Sequence, residues 1–296
     1  MARLLVTALL LALLVVPAAA TTPRRFASPE DGVTALVTAV KADDQKTLLD
    51  ILGPEGRSLV YSGDAVADHA ARQRFAAAYD VAHRIVGGGG KVILYVGQDD
   101  FALPIPLVPD GPVWRFDARA AAEEILNRRI GRNELDAIQV CLAYVDAQRE
   151  YYSEDRNANG LREYAQRFTS SPGKRDGLFW ETKPGENPSP LGPLVAQARA
   201  EGYGSGQKQP YHGYYYRILT AQGPDAPDGA SDCLAHGLMI GGFALVAFPS
   251  QYGVSGVMTF MVNYDGIVYQ KDLGPSTAAT ARTMTRFNPD ATWKKV

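Results

Sequence analysis

The chain has 296 residues, 46% hydrophobic and 21% charged, with 30 Lys and Arg against 32 Asp and Glu for a net charge of −2. That balance argues against nucleic acid or an anionic membrane surface as a partner, since both need a concentrated basic patch. The length suits two modest domains or one large one, with enough apolar content for a packed core.

The chain opens on Met1-Ala2-Arg3, an unbroken apolar run from Leu4 to Val16, and Pro17-Ala18-Ala19-Ala20. This is the basic start, apolar helix and small-residue site of a cleavable secretory signal peptide, and it predicts cleavage after Ala20. At thirteen residues the run falls short of a span, which needs roughly 20. The expected location is periplasmic or secreted. Loss of Arg3 leaves 29 basic and 32 acidic residues, a net charge of −3. No later segment is long and apolar enough to span; the best, Leu234 to Phe248, is interrupted by His236 and glycines.

Ser28-Pro29-Glu30-Asp31 predicts a helix start, with a capping serine, proline at the first helical position and acids in the first turn. Val33, Leu36, Val37 and Val40 follow at the spacing of one buried face. A second helix is expected over Gln45 to Leu52, stopped by Gly53-Pro54. A third is expected from about Ala65 to Ile85, with Ala71, Phe75 and Tyr79 on one side. Gly87 to Gly90 before Lys91 is not a phosphate loop. The helix comes first, a strand follows, and Val92 stands where a hydroxyl residue is required. The run reads as a flexible connection.

Lys91 to Val96, Phe101 to Val108 and Val113 to Phe116 read as three antiparallel strands, the middle one irregular because of Pro104 and Pro106. Asp117 caps a helix to about Asn127. The polar stretch Arg128 to Glu134 then separates it from the longest helix, Glu134 to Ser153, whose buried side is expected to carry Ile138, Leu142, Tyr144, Val145 and Ala147. The three arginines there suit either an anion or local pairing with Glu123, Glu124 and Glu134.

Asp155-Arg156-Asn157-Ala158-Asn159-Gly160 fits the start of an EF-hand-type loop. Asp155, Asn157 and Asn159 would offer side-chain oxygens to Ca2+, Leu161 its carbonyl, and Glu163 a direct or water-mediated ligand. Gln166 stands where a bidentate glutamate belongs, and Arg162 where an apolar residue is usual. The plain alternative is an Asn-Gly turn with no ion.

After a polar stretch from Ser170 to Pro193, strands are expected at Tyr211 to Leu219 and Leu238 to Phe248. A hairpin of Val257–Val262 and Ile267–Asp272 turns at Asp265-Gly266, and a short helix is expected over Thr277 to Met284. Alternation sends Tyr211 and Tyr215 to one face of their strand, and His212, Tyr214 and Tyr216 to the other. One set packs on the long helix. The other is solvent-facing or covered by the Trp180 loop, so Trp180, Tyr211, Tyr214, Tyr215 and Tyr216 form the candidate surface for a sugar or peptide. The alternative makes both faces core.

Cys141 and Cys233 suit a disulfide in an oxidising compartment, or two separate buried thiols. Candidate chemistry is sparse. Gly253-Val254-Ser255-Gly256 is not a nucleophile elbow, and no zinc spacing occurs. His212 and His236 are candidate bases, with Ser255 or Cys233 as partner, against the reading as structural histidines.

Several segments occur together in order: Arg128–Glu134, Glu163-Tyr164-Ala165-Gln166, Asp176-Gly177-Leu178-Phe179-Trp180, His212-Gly213-Tyr214-Tyr215-Tyr216-Arg217, Gly241–Ala247, Ser255–Phe260 and Asp272-Leu273-Gly274. Through them the chain resembles the bacterial domain-of-unknown-function family numbered 2950 over nearly its whole mature length. The resemblance implies export and brings no activity. A second, architectural likeness is to the globular part of pilins and pseudopilins, without their retained apolar N-terminal helix.

The expected class is α+β. Residues 21–117 would form helices with a small antiparallel sheet, and residues 118–296 a long helix packed on an antiparallel meander (pilin-like). The expected role is a non-catalytic binding or assembly-accessory module for an envelope protein or glycan. The alternatives are an envelope hydrolase using His212 and His236, and a calcium-stabilised scaffold.

Overall fold

The computed structural model describes residues 22–204 and 209–296. Local signals start the fold. In α1 (Pro29–Lys41) the Ser28 hydroxyl accepts the Asp31 N–H at 3.1 Å, and Val33, Leu36 and Val37 turn inward. Asp44 caps α2 (Gln45–Leu52), which Gly53 stops at a φ of +72°. After the single turn α3 (Arg57–Val60), Asp64 caps α4 (Ala65–Val81). The small antiparallel sheet runs in the order β1 (His83–Gly88), β2 (Lys91–Val96), β4 (Leu107–Asp110), β5 (Val113–Phe116), with β3 (Phe101–Ala102) also on β2. One core, from Phe26 to Ala121, joins these helices to the sheet.

Three expectations change here. The third helix stops at Val81 rather than Ile85, because His83 to Gly88 pairs with β2 residue for residue. The glycine run is therefore the turn of a hairpin. Gly89 and Gly90 take φ of +61° and +76°, which a two-residue hairpin turn requires. The strand expected from Phe101 to Val108 is broken into β3 and β4 across Pro104 and Pro106.

The next element is one helix, not two: α5 runs unbroken over Ala118–Tyr152, 35 residues and about 50 Å. The polar stretch inside it is the passage between cores. Ala118 and Ala121 belong to the first core, Ala137, Cys141, Tyr144 and Val145 to the second, and no residue between Ala121 and Ala137 is buried. That passage is fastened by polar contacts. Arg129 donates to the Ser58 and Leu59 carbonyls, Asn133 to Ser255 O, and Glu134 accepts the N–H groups of Val257 and Met258. These contacts outweigh the roughly 1 kcal/mol cost of Gly131 in a helix. Leu142, expected inside, is exposed.

The second sheet is antiparallel in the order β14 (Lys294–Lys295), β13 (Tyr269–Asp272), β12 (Met258–Asn263), β11 (Ala244–Pro249), β6 (Tyr214–Leu219). Every residue of β11 is buried, since α5 covers one face and the other carries a third core with Met261, Phe287 and Trp293. The strand expected from Leu238 to Phe248 is two pieces, β10 (Leu238–Met239) and β11. Gly241 and Gly242 separate them, with Gly242 at a φ of +126°. Short pairs β7 (Ala221–Gln222) with β8 (Ser231–Asp232), and β9 (Leu234–Ala235) with β10, lie between. Helix α6 (Gly192–Ala200) precedes the sheet and α7 (Thr277–Thr283) follows β13.

Candidate functional site

Strand β6 is the open edge of the second sheet, and it begins with a reversal. His212 and Gly213 take φ of +51° and +74°, and Tyr211 and Tyr214 exchange both backbone hydrogen bonds across them, at 2.9 and 3.1 Å. This is the positive-φ pattern of a two-residue turn. His236-Gly237, at +50° and +80°, repeats it between β9 and β10. Both candidate bases are thus turn residues, and simple alternation over Tyr211 to Leu219 does not apply.

Because Tyr214 is bonded to Tyr211, its N–H and C=O point away from β11. The same outer side holds Thr220 O, which accepts the Cys233 N–H at 3.0 Å. Antiparallel pairing alternates, so Tyr216 and Ile218 also turn their backbone groups outward. Among the described residues these two have no backbone partner on that side. The gap faces a groove of about 720 Å³. Its walls are Val140 and Tyr144 of α5, Leu194 and Val195 of α6, and Phe168 and Phe179 from the intervening loops.

Of the expected aromatic surface, Tyr211, Tyr215 and Tyr216 line this groove. Tyr214 does not. It is 0% exposed, packs against Phe260 and donates to Met258 O at 2.9 Å, so it is core. Trp180 is not among the groove's residues either: the guanidinium groups of Arg156 and Arg175 lie over its ring, at 5.6 and 5.4 Å from the centroid. Tyr203, Phe168, Phe179 and Phe248 complete the aromatic lining. No sequence pattern could have gathered them, because they come from elements far apart in the chain.

Among the described residues the groove carries Arg167, Arg199, Arg217 and Arg282 and no carboxylate. Arg199 pairs with Glu181 and Arg167 with Asp176. Arg217 donates to the Ala281 and Met284 carbonyls, while its buried Nε has no partner.

His212 follows the groove residue Tyr211, its Nδ1 and Nε2 each 2.8 Å from a carboxylate, Asp136 and Glu201 respectively. With both ring nitrogens engaged, neither is offered to a nucleophile. Ser255 is fully buried, bonded to Ser250 Oγ and to the Gln251 backbone. His236 is exposed at its turn. Among the described residues no hydrogen bond joins either histidine to Ser255, Cys233 or the other. Cys141 and Cys233 stand in one core as free thiols, and burial pushes them up to about 12 and about 11, so little reactive thiolate forms.

In the candidate calcium loop, both Asp155 oxygens accept backbone N–H groups, from Asn159 and Gly160. Asn159 Oδ1 accepts the Leu161 N–H, and the Asn157 and Asn159 amides both donate to Glu163. Glu163 is 7% exposed and has no ion-pair partner among the described residues. No group of three or more His, Cys, Asp or Glu side chains is placed to hold a metal ion there or elsewhere among the described residues.

The segments used for the family resemblance hold structure. A Cβ on Gly177 would meet Ser170 N at 2.7 Å, one on Gly241 the Asp232 carbonyl at 2.6 Å, and one on Gly256 would collide with the Tyr214 hydroxyl. Residues 1–20, the expected signal peptide, lie outside the described residues. No helix among the described residues is long and apolar enough to cross a membrane. Residues 23–296 match the family described as Protein of unknown function (DUF2950). No curated protein and no solved structure matches the chain.

Proposed function

The chain belongs to the DUF2950 family of proteins of unknown function, and we propose that it is a non-catalytic binding module that takes an extended peptide of an exported envelope protein into the β6 groove. One observation carries this reading: the unpaired backbone of Tyr216 and Ile218 faces an aromatic-walled groove. An added strand would supply the missing hydrogen bonds, and the aromatic walls would take alternate side chains. Arg282, which has no ion-pair partner among the described residues, favours a peptide bearing an acidic residue.

The test uses mature protein recovered from the envelope fraction of its host, on which a displayed peptide library is selected. Enriched peptides should be extended and partly acidic, and should slow amide exchange at Tyr216 and Ile218. Ile218→Pro deletes an outward N–H without removing a bond to β11, so it should abolish binding with only a modest fall in Tm. Peptides that bind Ile218→Pro undiminished would overturn the reading, as would a glycan that saturates the groove of that variant. Absence of the protein from the envelope fraction would remove the exported setting.

A calcium ion at Asp155, Asn157, Asn159, Leu161 and Glu163 is a second, structural proposal. It is supported by the buried Glu163, a carboxylate ringed by amides and without a cation. With only two carboxylates, the affinity expected is about 10⁻⁴ to 10⁻³ M. Millimolar calcium should raise Tm of the wild type and leave Asp155→Ala unmoved. An unshifted wild type with blank calorimetry would discard the site.

A further inference from the structure

Helix α4 lies against the first core yet buries none of its own residues. Its sequence explains this: where a packing helix carries leucine, it carries Ala67, Ala71 and Ala78. The space so left is a second cavity of about 610 Å³. Its floor is apolar, with Leu36, Leu48, Leu52, Val96 and Ile105 all at 7% exposure or less. Apolar walls of this extent, open to water, favour an apolar ligand that removes them from water.

Its mouth is cationic. Arg72, Arg74, Arg128, Arg129 and Arg132 line the cavity, against one carboxylate, Asp68. Burial pushes the Asp68 acid up, toward its neutral form. Arg128 is paired with Glu124, and Arg129 is spent on the Ser58 and Leu59 carbonyls. Arg74 and Arg132 have no hydrogen-bond or ion-pair partner among the described residues. Arg72 is closed off: its side chain is 10% exposed, its Nε pairs with Asp43, its Nη1 donates to the Val60 carbonyl, and its Nη2 is buried. Arg74 and Arg132, both exposed, are therefore the cations placed to meet an anion at the apolar cavity.

We propose that this cavity binds a single-chain anionic amphiphile, with the alkyl chain beneath α4 and the carboxylate or phosphate head against Arg74 and Arg132. The site is separate from the β6 groove and stands whether or not that groove takes peptide.

Calorimetry of the mature protein with monomeric dodecanoate, below its micelle concentration, tests it. Saturable one-to-one binding is expected, roughly ten-fold weaker for neutral dodecanol, which offers no anion. Arg132→Gln breaks no internal contact and should weaken dodecanoate by about ten-fold while leaving dodecanol unchanged. Ala71→Trp fills the cavity from α4 and should abolish binding of both. Should that variant fail to fold, a nitroxide at the end of the dodecanoate chain serves on the wild type, and should broaden the methyl resonances of Leu48 and Val96. Unbroadened methyls, equal affinity for acid and alcohol, or undiminished binding by folded Ala71→Trp would each overturn the proposal. So would attachment to vesicles of anionic phospholipid without any monomer binding, which would assign the arginines to a membrane surface.

Discussion

Asp64→Ala is expected to lower the unfolding free energy by about 3 kcal/mol, measured as a fall in urea midpoint at unchanged slope. Asp64 is only 2% exposed, and three donors meet its carboxylate. Ala67 N–H donates to Oδ1 at 3.0 Å as the α4 cap, while Oδ2 accepts the Tyr203 hydroxyl at 2.8 Å and the Gly213 N–H at 2.9 Å. One side chain thus ties the start of α4 to the turn that launches β6. Truncation would lose a cap worth about 1 kcal/mol and leave two buried donors without acceptors, at roughly 1 kcal/mol or more each. Burial, then the carboxylate itself, pushes the Tyr203 phenol well up, so it remains the donor throughout the ordinary pH range. Asp64→Asn keeps two acceptor lone pairs on one oxygen and should cost distinctly less. A loss below about 1 kcal/mol in Asp64→Ala would show that water replaces the carboxylate at this junction.

Which parts of this molecule the sequence discloses follows from the range of each signal. Caps are local: Ser28-Pro29 and Asp117 mark their helix starts because donor and acceptor lie three residues apart. The break expected at Arg128 to Glu134 failed for a tertiary reason. Those residues carry no apolar stripe because they bridge two cores, and they are held instead by Ser58, Leu59 and Ser255, distant in sequence. His212-Gly213 hid a chain reversal inside what reads as one aromatic strand. Tyr214 then fell to the core, while Tyr211, Tyr215 and Tyr216 reached the groove. The groove and the cavity beneath α4 are spaces between elements. The second has a faint trace, since the alanines of α4 predict a helix that cannot fill what it covers.

Gln148→Leu should be nearly as damaging as Asp64→Ala, and for a reason hidden in composition. An amide on α5 reads as part of a solvated face, yet Gln148 is 0% exposed. Its Oε1 accepts the Ala165 N–H at 2.8 Å and its Nε2 donates to Ala165 O at 2.8 Å, so the side chain stands in for a strand neighbour to the loop. The same Nε2 donates to the Tyr144 hydroxyl at 2.9 Å, and that hydroxyl reaches Ala244 O of the central strand at 3.3 Å. Sheet, helix and loop are therefore coupled through one buried chain of hydrogen bonds, in which a half-satisfied state is worse than none. Leucine matches the volume and leaves the Ala165 N–H and C=O orphaned, for an expected loss of about 2 to 3 kcal/mol. The loop so released carries Gln166 and Phe168, which wall the groove. Amide exchange at Ala165 should accelerate before global unfolding does, and peptide affinity should fall although no residue of the groove has changed. Protection at Ala165 equal to the wild type, with stability within about 0.5 kcal/mol, would mean that packing alone holds the loop against α5.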